Sequence, residues 1–176
     1  MMKKNKAMNK IFKTTAIIIT LAIPVFISSC VNTDLPDRTA TTEQQELDEA
    51  FAKLETKGYN IDTTDLGVYY IMNKVGTGPL PQKSDTCFLI YTGFFLNGAI
   101  FDASAYHYQD SIWKFNYLEI SLIPGFNDGV ALLNKGAEAD IIIPSEFAYG
   151  ASGYQDIPPY TPLVFSMKMR DLRPTK

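Results

Sequence analysis

The dipeptide Asn97-Gly98 constrains the fold more than any other feature, because it lies between two apolar segments and is the strongest short signal for a β-hairpin. The run before it, Thr86 to Leu96, is the most apolar strand-like segment, and Ala99 to Asp102 returns the chain. Gly93 interrupts the first run, which predicts a bulge or a close approach of another group to the backbone. The hairpin therefore requires an antiparallel pair of strands at the centre of the chain.

The remaining regular segments predict an α+β fold. A short helix is expected after Pro124-Gly125, where Phe126, Val130 and Leu133 are spaced i, i+4 and i+7 and Gly136 would end the helix. The other predicted strands are Val68 to Lys74, Trp113 to Ser121, Glu138 to Ile143 and Leu163 to Leu172. We expect a mainly antiparallel sheet of about five strands with one short helix.

An additional amphipathic helix is predicted at residues 42–58. Thr42 and Gln45 have the spacing of a capping box, and Gly58 is a natural stop. The apolar side chains on one face are Leu47, Ala50, Phe51 and Leu54. This pattern predicts a helix that packs either on the domain or on a partner, with a solvated charged face.

The first 29 residues are typical of a secretory signal peptide. Five lysines without an acidic residue precede an apolar run from Ala16 to Ile27, which is too short to span a membrane and contains Pro24. Ser28 and Ser29 before Cys30 resemble the lipobox of bacterial lipoproteins, in which the cysteine is diacylated and becomes the N-terminus. We therefore predict a lipid anchor at Cys30, a tether at residues 30–41 and one domain at residues 59–176. An ordinary cleaved signal with an unmodified cysteine is the alternative.

Charge and residue counts exclude several classes of protein. Removal of a leader with five lysines and no acid changes the formal net charge from -3 to -8, which argues against nucleic-acid binding. Cys87 would then be the one remaining thiol, which excludes an internal disulfide and favours a small buried residue. His107 is the only histidine and is interpreted as a surface residue, so no metal or cofactor is expected.

The segment from Phe147 to Phe165 combines glycines and prolines with aromatic side chains. Gly150 and Gly153 permit positive φ, and Pro158-Pro159 stiffen the return of the chain. By itself this pattern is typical of a rigid surface loop. The alternative is a shaped flap, called the flap below, that holds Tyr149 and Ile157 over an apolar site.

A set of short motifs favours the second interpretation. In chain order they are Tyr91-Thr92-Gly93, Asn97-Gly98, Phe101-Asp102-Ala103-Ser104, Ile123-Pro124-Gly125-Phe126, Ile143-Pro144, Ala148-Tyr149-Gly150 and Ile157-Pro158-Pro159. This ordered set, between Val68 and Leu172, resembles the FKBP-type peptidyl-prolyl cis-trans isomerase family, and the leader fits lipid-anchored members similar to gliding-motility-associated isomerase lipoproteins. The resemblance implies a twisted antiparallel sheet wrapped around a short helix, with an apolar pocket between them.

The resemblance also implies the residues of that pocket. Catalytic roles fall to Tyr149, Asp102, Phe126 and Phe101, and substrate-binding roles to Tyr91, Trp113, Leu122, Ile123, Ile157 and Phe165. The Tyr149 hydroxyl and the Ile157 N–H are the expected donors to a substrate carbonyl. Taken singly, the phenylalanines and Trp113 are also typical of core aromatics. The implied partners are proline-containing peptides or proteins, and the implied location is the periplasmic side of a membrane; the sequence does not define an oligomeric state.

Three positions depart from the family pattern. Phe126 replaces the usual tryptophan at the pocket floor, while Trp113 replaces a phenylalanine. No arginine follows Asp102 before Trp113, so Asp102 is expected to lean on the hydroxyl of Tyr91 or Tyr149. The segment Gly153 to Ile157 is one residue short. These departures keep a second function open, namely a weakly active or inactive binding or chaperone module in an envelope complex.

Overall fold

The computed structural model describes residues 38–175. The predicted signal peptide at residues 1–29, the lipid site at Cys30 and most of the tether lie outside the described residues. Within residues 38–175, no helix has both the length and the apolar character needed to cross a membrane.

A single seven-stranded antiparallel sheet confirms the predicted fold class. The strand order is β1-β2-β6-β7-β3-β4, and β5 also pairs with β3. The sheet has two more strands than the approximate count of five, and the two-residue β1 is the strand that no predicted segment covers. The strands are β1 (Asp62–Thr63), β2 (Tyr69–Lys74), β3 (Thr86–Phe95), β4 (Ile100–Ala103), β5 (Trp113–Asn116), β6 (Glu138–Ile143) and β7 (Leu163–Arg173).

The β3–β4 hairpin forms at the predicted turn. The Phe95 N–H donates to the Ala99 carbonyl at 2.9 Å, and Gly98 adopts a φ of 86°, which favours glycine. The strand register shifts between Gly93 and Phe94, as the interruption of the apolar run predicted. A Cβ atom on Gly93 would lie 2.6 Å from Cζ of Phe101, so both the bulge and the close approach are confirmed.

Helix α3 (Pro124–Ala131) packs against the sheet at β6. Pro124 is at its first turn, where a missing N–H costs nothing. Gly125 and Gly129 permit the close approach, because a Cβ atom at either would lie within 3 Å of Ile143 or Ile141. The helix ends five residues before Gly136, which instead adopts a positive φ in the following turn.

The connection between β4 and β5 contains a one-turn helix, α2 (Ser104–His107), that the sequence did not predict. Ser104 is fully buried, and its hydroxyl donates to the Ser111 carbonyl at 2.7 Å and accepts from the Tyr91 N–H at 3.1 Å. This serine therefore ties α2 to β3. As a result, the residues after β4 turn back toward the sheet.

Helix α1 (Ala40–Thr56) packs on the domain, which was one of the two expected alternatives. Leu47 is buried, and the rings of Phe51 and Tyr69 lie 4.5 Å apart. The predicted cap was wrong: Thr39 caps the helix and Thr42 forms the reciprocal bond, because the helix begins two residues earlier. The charged face is also not wholly solvated, since Glu43 is buried.

Candidate functional site

A cavity of about 580 Å³ opens between the sheet, the start of α3 and the flap. Its volume is in the usual range for a ligand pocket, and aromatic side chains form most of its wall. The residues that line it are Tyr91, Phe101, Asp102, Trp113, Ser121, Leu122, Ile123, Pro124, Phe126, Tyr149, Tyr154 and Phe165. Nine of the ten predicted site residues are therefore brought together, and Ile157 is not among them.

Phe126 forms the floor of the cavity and is only 4% exposed. Its ring packs edge-on against Phe165 at 5.0 Å and against Tyr91 at 5.7 Å, close to perpendicular in both cases. This is a favoured geometry for aromatic pairs. The sequence places Phe126 there because Ile123-Pro124 starts α3 and directs the first turn of the helix into the aromatic cluster.

Two more aromatic rings complete the wall from neighbouring strands. Phe101 on β4 packs edge-on against Phe165 on β7 at 5.5 Å. Trp113, the first residue of β5, lies 5.7 Å from Tyr91 and 5.9 Å from Phe126. A shell of rings without charge results, which suits the ring of a proline better than a polar ligand.

Asp102 is the one acidic group in this wall and is held by three donors. The Tyr91 hydroxyl donates to Oδ2 at 2.8 Å, and the Ala103 N–H donates to Oδ1 at 2.8 Å. The expected contact of Asp102 with a tyrosine hydroxyl is therefore present, through Tyr91. Burial, followed by the hydrogen bond to Asp102, raises the pKa of the Tyr91 hydroxyl, so this hydroxyl remains a donor.

His107 supplies the third partner of Asp102. Its Nε2 atom lies 2.7 Å from Asp102 Oδ1, and the side chain is 53% exposed. The prediction of a surface residue is correct for exposure, but it missed this contact with the cavity wall. The available signal was that His107 lies five residues after Asp102, an aspartate without the arginine partner that is usual in the family. The contact depends on α2, which the sequence pattern did not reveal.

Tyr149 covers the cavity from the flap. Its ring stacks on that of Tyr154 at 5.0 Å with an angle of 12° between the planes. Burial, followed by the nearby Tyr154 and Asp102, raises the pKa of the Tyr149 hydroxyl. Tyr154 was not predicted as a site residue, and its position next to Gly153 in the shortened segment was the only signal.

Ile157 does not take its expected position at the cavity. It is not among the residues that line the cavity, and its N–H already donates to the Tyr154 carbonyl at 2.8 Å. The reciprocal bond from the Tyr154 N–H to the Ile157 carbonyl, at 2.9 Å, closes the shortened loop. Ile123 lines the cavity, and within residues 38–175 its N–H has no hydrogen-bond acceptor.

A metal centre has no support in the part of the chain that the structure describes. No group of three or more histidine, cysteine, aspartate or glutamate side chains there could hold an ion. The site offers an apolar enclosure, two hydrogen-bond donors and the Asp102 carboxylate, which accepts hydrogen bonds from Tyr91 and Ala103.

The sequence profile of the FKBP-type peptidyl-prolyl cis-trans isomerases matches residues 78–170, and the chain belongs to this family. It is 33% identical over 130 residues to the FKBP-type peptidyl-prolyl cis-trans isomerase FkpA of Escherichia coli strain K12, which covers 74% of this chain and 45% of that protein. The chain thus spans about half the length of the curated relatives it matches.

Solved structures agree with this family. The crystal structure of FkpA from Escherichia coli superposes with a TM-score of 0.65 at 30% identity, covering 78% of this chain and 62% of that one. A peptidyl-prolyl cis-trans isomerase from Pseudomonas syringae superposes with a TM-score of 0.64 at 27% identity, covering 78% and 98%. The family and fold given by the resemblance are confirmed.

Proposed function

We propose that this protein is a peptidyl-prolyl cis-trans isomerase that acts on X–Pro bonds of exported or envelope proteins. The observation that carries the proposal is the aromatic cavity with Phe126 as its floor and Tyr149 over its opening. Membership of the family supports it independently.

The reaction requires no nucleophile, metal or cofactor. An X–Pro bond isomerises through a twisted amide that has lost resonance, against a barrier of about 18–20 kcal/mol. The planar amide is the more polar state, so an enclosure of rings such as Phe101, Trp113 and Phe126 disfavours it relative to the twisted state. A reduction of the barrier by about 4–5 kcal/mol would accelerate exchange by roughly 10³-fold.

Specific side chains would perform two tasks in this mechanism. The rings of Phe126 and Phe165 would hold the proline ring, while the Tyr149 hydroxyl and the Ile123 N–H would donate to substrate carbonyls. Neither donor demands a planar amide, so both can remain bonded as the amide twists. Asp102 would fix the Tyr91 ring in the wall through the 2.8 Å bond.

The proposed location is the periplasmic side of a bacterial membrane, with a lipid anchor at Cys30. The basic and apolar leader followed by Ser28-Ser29-Cys30 supports it. Incorporation of labelled palmitate in cells tests this part: Cys30→Ser should abolish labelling and Cys87→Ser should preserve it. Labelling that survives Cys30→Ser would contradict the anchor.

The activity is tested by protease-free isomerisation of several X–Pro peptides by the purified full chain. We expect acceleration over buffer that depends on protein concentration. A rate equal to that of buffer for every peptide would contradict the proposal.

A binding or chaperone module is the second candidate, and the phenylalanine at the cavity floor favours it. Phe126 is smaller than tryptophan and has no indole N–H, so the floor lacks a donor. This function predicts that the protein suppresses aggregation of an unfolded client even when peptide isomerisation is absent. Measurement of both activities on the same preparation distinguishes the two functions.

A further inference from the structure

The contact between His107 and Asp102 joins a titratable group to the wall of the cavity. His107 Nε2 and Asp102 Oδ1 are 2.7 Å apart, whereas Asp102 Oδ2 faces the Tyr91 hydroxyl inside the wall. The aspartate side chain is 33% exposed and the histidine 53%, so the pair lies at the boundary between cavity and solvent. Any change of charge on the imidazole therefore acts directly on the carboxylate.

Histidine is the side chain that ordinarily changes its charge between pH 5 and 8. When the imidazole is neutral, the wall carries the full negative charge of Asp102. When the imidazole is protonated, the pair is neutral overall and its hydrogen bond is charge-assisted. The carbonyl oxygens of a peptide carry partial negative charge, so they experience less repulsion beside the neutral pair.

We propose that His107 is the positioning residue of Asp102 and that protonation of His107 sets the charge of the cavity wall. Peptide recognition is then pH-dependent, and at higher pH the site selects against peptides with an acidic residue before proline. This inference rests on the proposed function. It assigns a specificity-determining role to a residue outside the lining of the cavity.

The groups on the neighbouring β3 and flap are phenols, and burial raises the pKa of both Tyr91 and Tyr149. In the β4–β5 connection Asp110 is the other charged residue, and it caps the Ile112 N–H at 3.0 Å. On β5, the Lys114 ammonium lies over the ring of Phe88, 5.7 Å from its centre. These elements thus contribute the titratable groups Tyr91, Tyr108, Tyr149, Tyr154, Asp110 and Lys114.

The chain provides its own reporter for a test. Trp113 is the only tryptophan and lines the cavity, and His107 is the only histidine. Binding of X–Pro peptides can therefore be followed by tryptophan fluorescence in the full chain, at about pH 5.5 and about pH 8. The variants are His107→Gln, neutral at both pH values, and His107→Arg, charged at both. Tyr106→Ser, at an exposed neighbouring position, is the matched control.

We expect the wild-type protein and the Tyr106→Ser control to bind an Ala-Pro peptide about 3- to 5-fold more tightly at the lower pH, and a Glu-Pro peptide with a larger ratio. His107→Gln should be weak at both pH values, and His107→Arg should be tight at both. A pH effect that persists in both histidine variants, or that is absent from the wild-type protein, would overturn the proposal.

A second measurement separates this inference from the proposed function. In the ligand-free chain, the proton on His107 Nε2 should exchange slowly with water because Asp102 accepts it, and Asp102→Ala should remove that protection in the NMR spectrum. Equal exchange in both proteins would overturn the pairing itself. If exchange is slow but no X–Pro peptide changes the Trp113 fluorescence at either pH, the pairing is supported. The proposed function, and the specificity that depends on it, are then contradicted.

Discussion

Both carboxylate oxygens of Glu43 are bound by Ser145. The Ser145 N–H and hydroxyl each donate at 2.5 Å, and Glu43 is only 7% exposed. Just before the helix, the Arg38 guanidinium donates to the carbonyls of Pro159 and Tyr160 at 3.1 and 3.0 Å. Helix α1 and the Arg38 that precedes it lie before the region that matches the family, and they therefore hold Ser145, just before the flap, and the Pro159-Tyr160 backbone within the flap.

Glu43→Ala should lower the free energy of unfolding by about 2–3 kcal/mol, because it removes two charge-assisted hydrogen bonds and leaves the Ser145 N–H without a partner. Urea unfolding of the full chain measures this. Glu49→Ala on the same helix is the control: Glu49 is 74% exposed and, within residues 38–175, pairs only with Lys53, so its removal should cost less than about 0.5 kcal/mol. Equal effects of the two substitutions would contradict a brace at Glu43.

Tyr149→Phe should lower kcat/KM about 3- to 10-fold with almost no loss of stability. The Tyr149 hydroxyl has no hydrogen-bond partner within residues 38–175, so its removal breaks no bond of the folded protein. Tyr59→Phe, at an exposed position far along the chain from the flap, should keep the full rate. A full rate in Tyr149→Phe would show that the hydroxyl does not contact the substrate carbonyl.

Long apolar runs and turn signals were predictable, and the shortest elements, β1 and α2, were not. The apolar run of β3 and the Asn97-Gly98 turn predicted the hairpin. Helix α2 has a single turn and no apolar period, so its sequence is indistinguishable from a loop. At α1, Thr39 and Thr42 both carry a cap-forming side chain, and only the docking of Glu43 selects the earlier start.

The residues of the site were also predictable only in part. The aromatic wall was predictable because its residues occupy the ordered motifs of the family. The contact of His107 with Asp102 was not, since it depends on where α2 directs the chain. The position of Ile157 was not predictable, because the shortened loop pairs its backbone with that of Tyr154, a consequence of loop geometry that residue types do not encode.

Phe126 is expected to be the most sensitive cavity position. Phe126→Ala, at a site that is 4% exposed, should cost about 3–5 kcal/mol of stability and lower activity the most among single cavity substitutions. Phe126→Leu keeps most of the volume, so the fold should persist while kcat/KM falls about 5- to 10-fold through loss of the aromatic face. Phe115→Leu, equally buried on β5 but outside the cavity, should lose stability without a comparable loss of rate. Equal rate losses in the two leucine variants would contradict the role of Phe126 as the floor.

Cys87 should resist alkylation in the native protein. It is fully buried, and burial followed by the nearby Asp85 raises the pKa of its thiol from 9.0 to about 12. The thiol is thus protonated and enclosed near pH 8, and iodoacetamide should modify Cys87 only after unfolding in guanidinium, as peptide mass spectrometry would detect. The raised pKa of the Cys87 thiol also makes stability depend on pH. The contribution of the protonated thiol to the free energy of unfolding is complete below about pH 9 and is lost as the pH rises through about 12, because the thiol ionises at lower pH in the unfolded chain than in the folded one. Modification of Cys87 at equal rates in native and unfolded protein would contradict its enclosure.

Gly93→Ala should damage both stability and the cavity, because the space for a Cβ atom is already occupied. That atom would lie 2.6 Å from Cζ of Phe101 and 3.0 Å from Cε1 of Phe165. The φ of Gly93 is not in the left-handed region, so the cost is steric. Overpacking of this kind lowers the free energy of unfolding by about 1–3 kcal/mol. Phe101 is the ring that must move, and the movement would displace it from the cavity wall.

Thermal unfolding and Trp113 fluorescence with an X–Pro peptide measure the two effects. The matched test is the double variant Gly93→Ala with Phe101→Leu: the smaller side chain should restore part of the lost stability, since the two positions are in contact. Additive losses in the double variant would show that Gly93 is required for a reason other than the approach of Phe101.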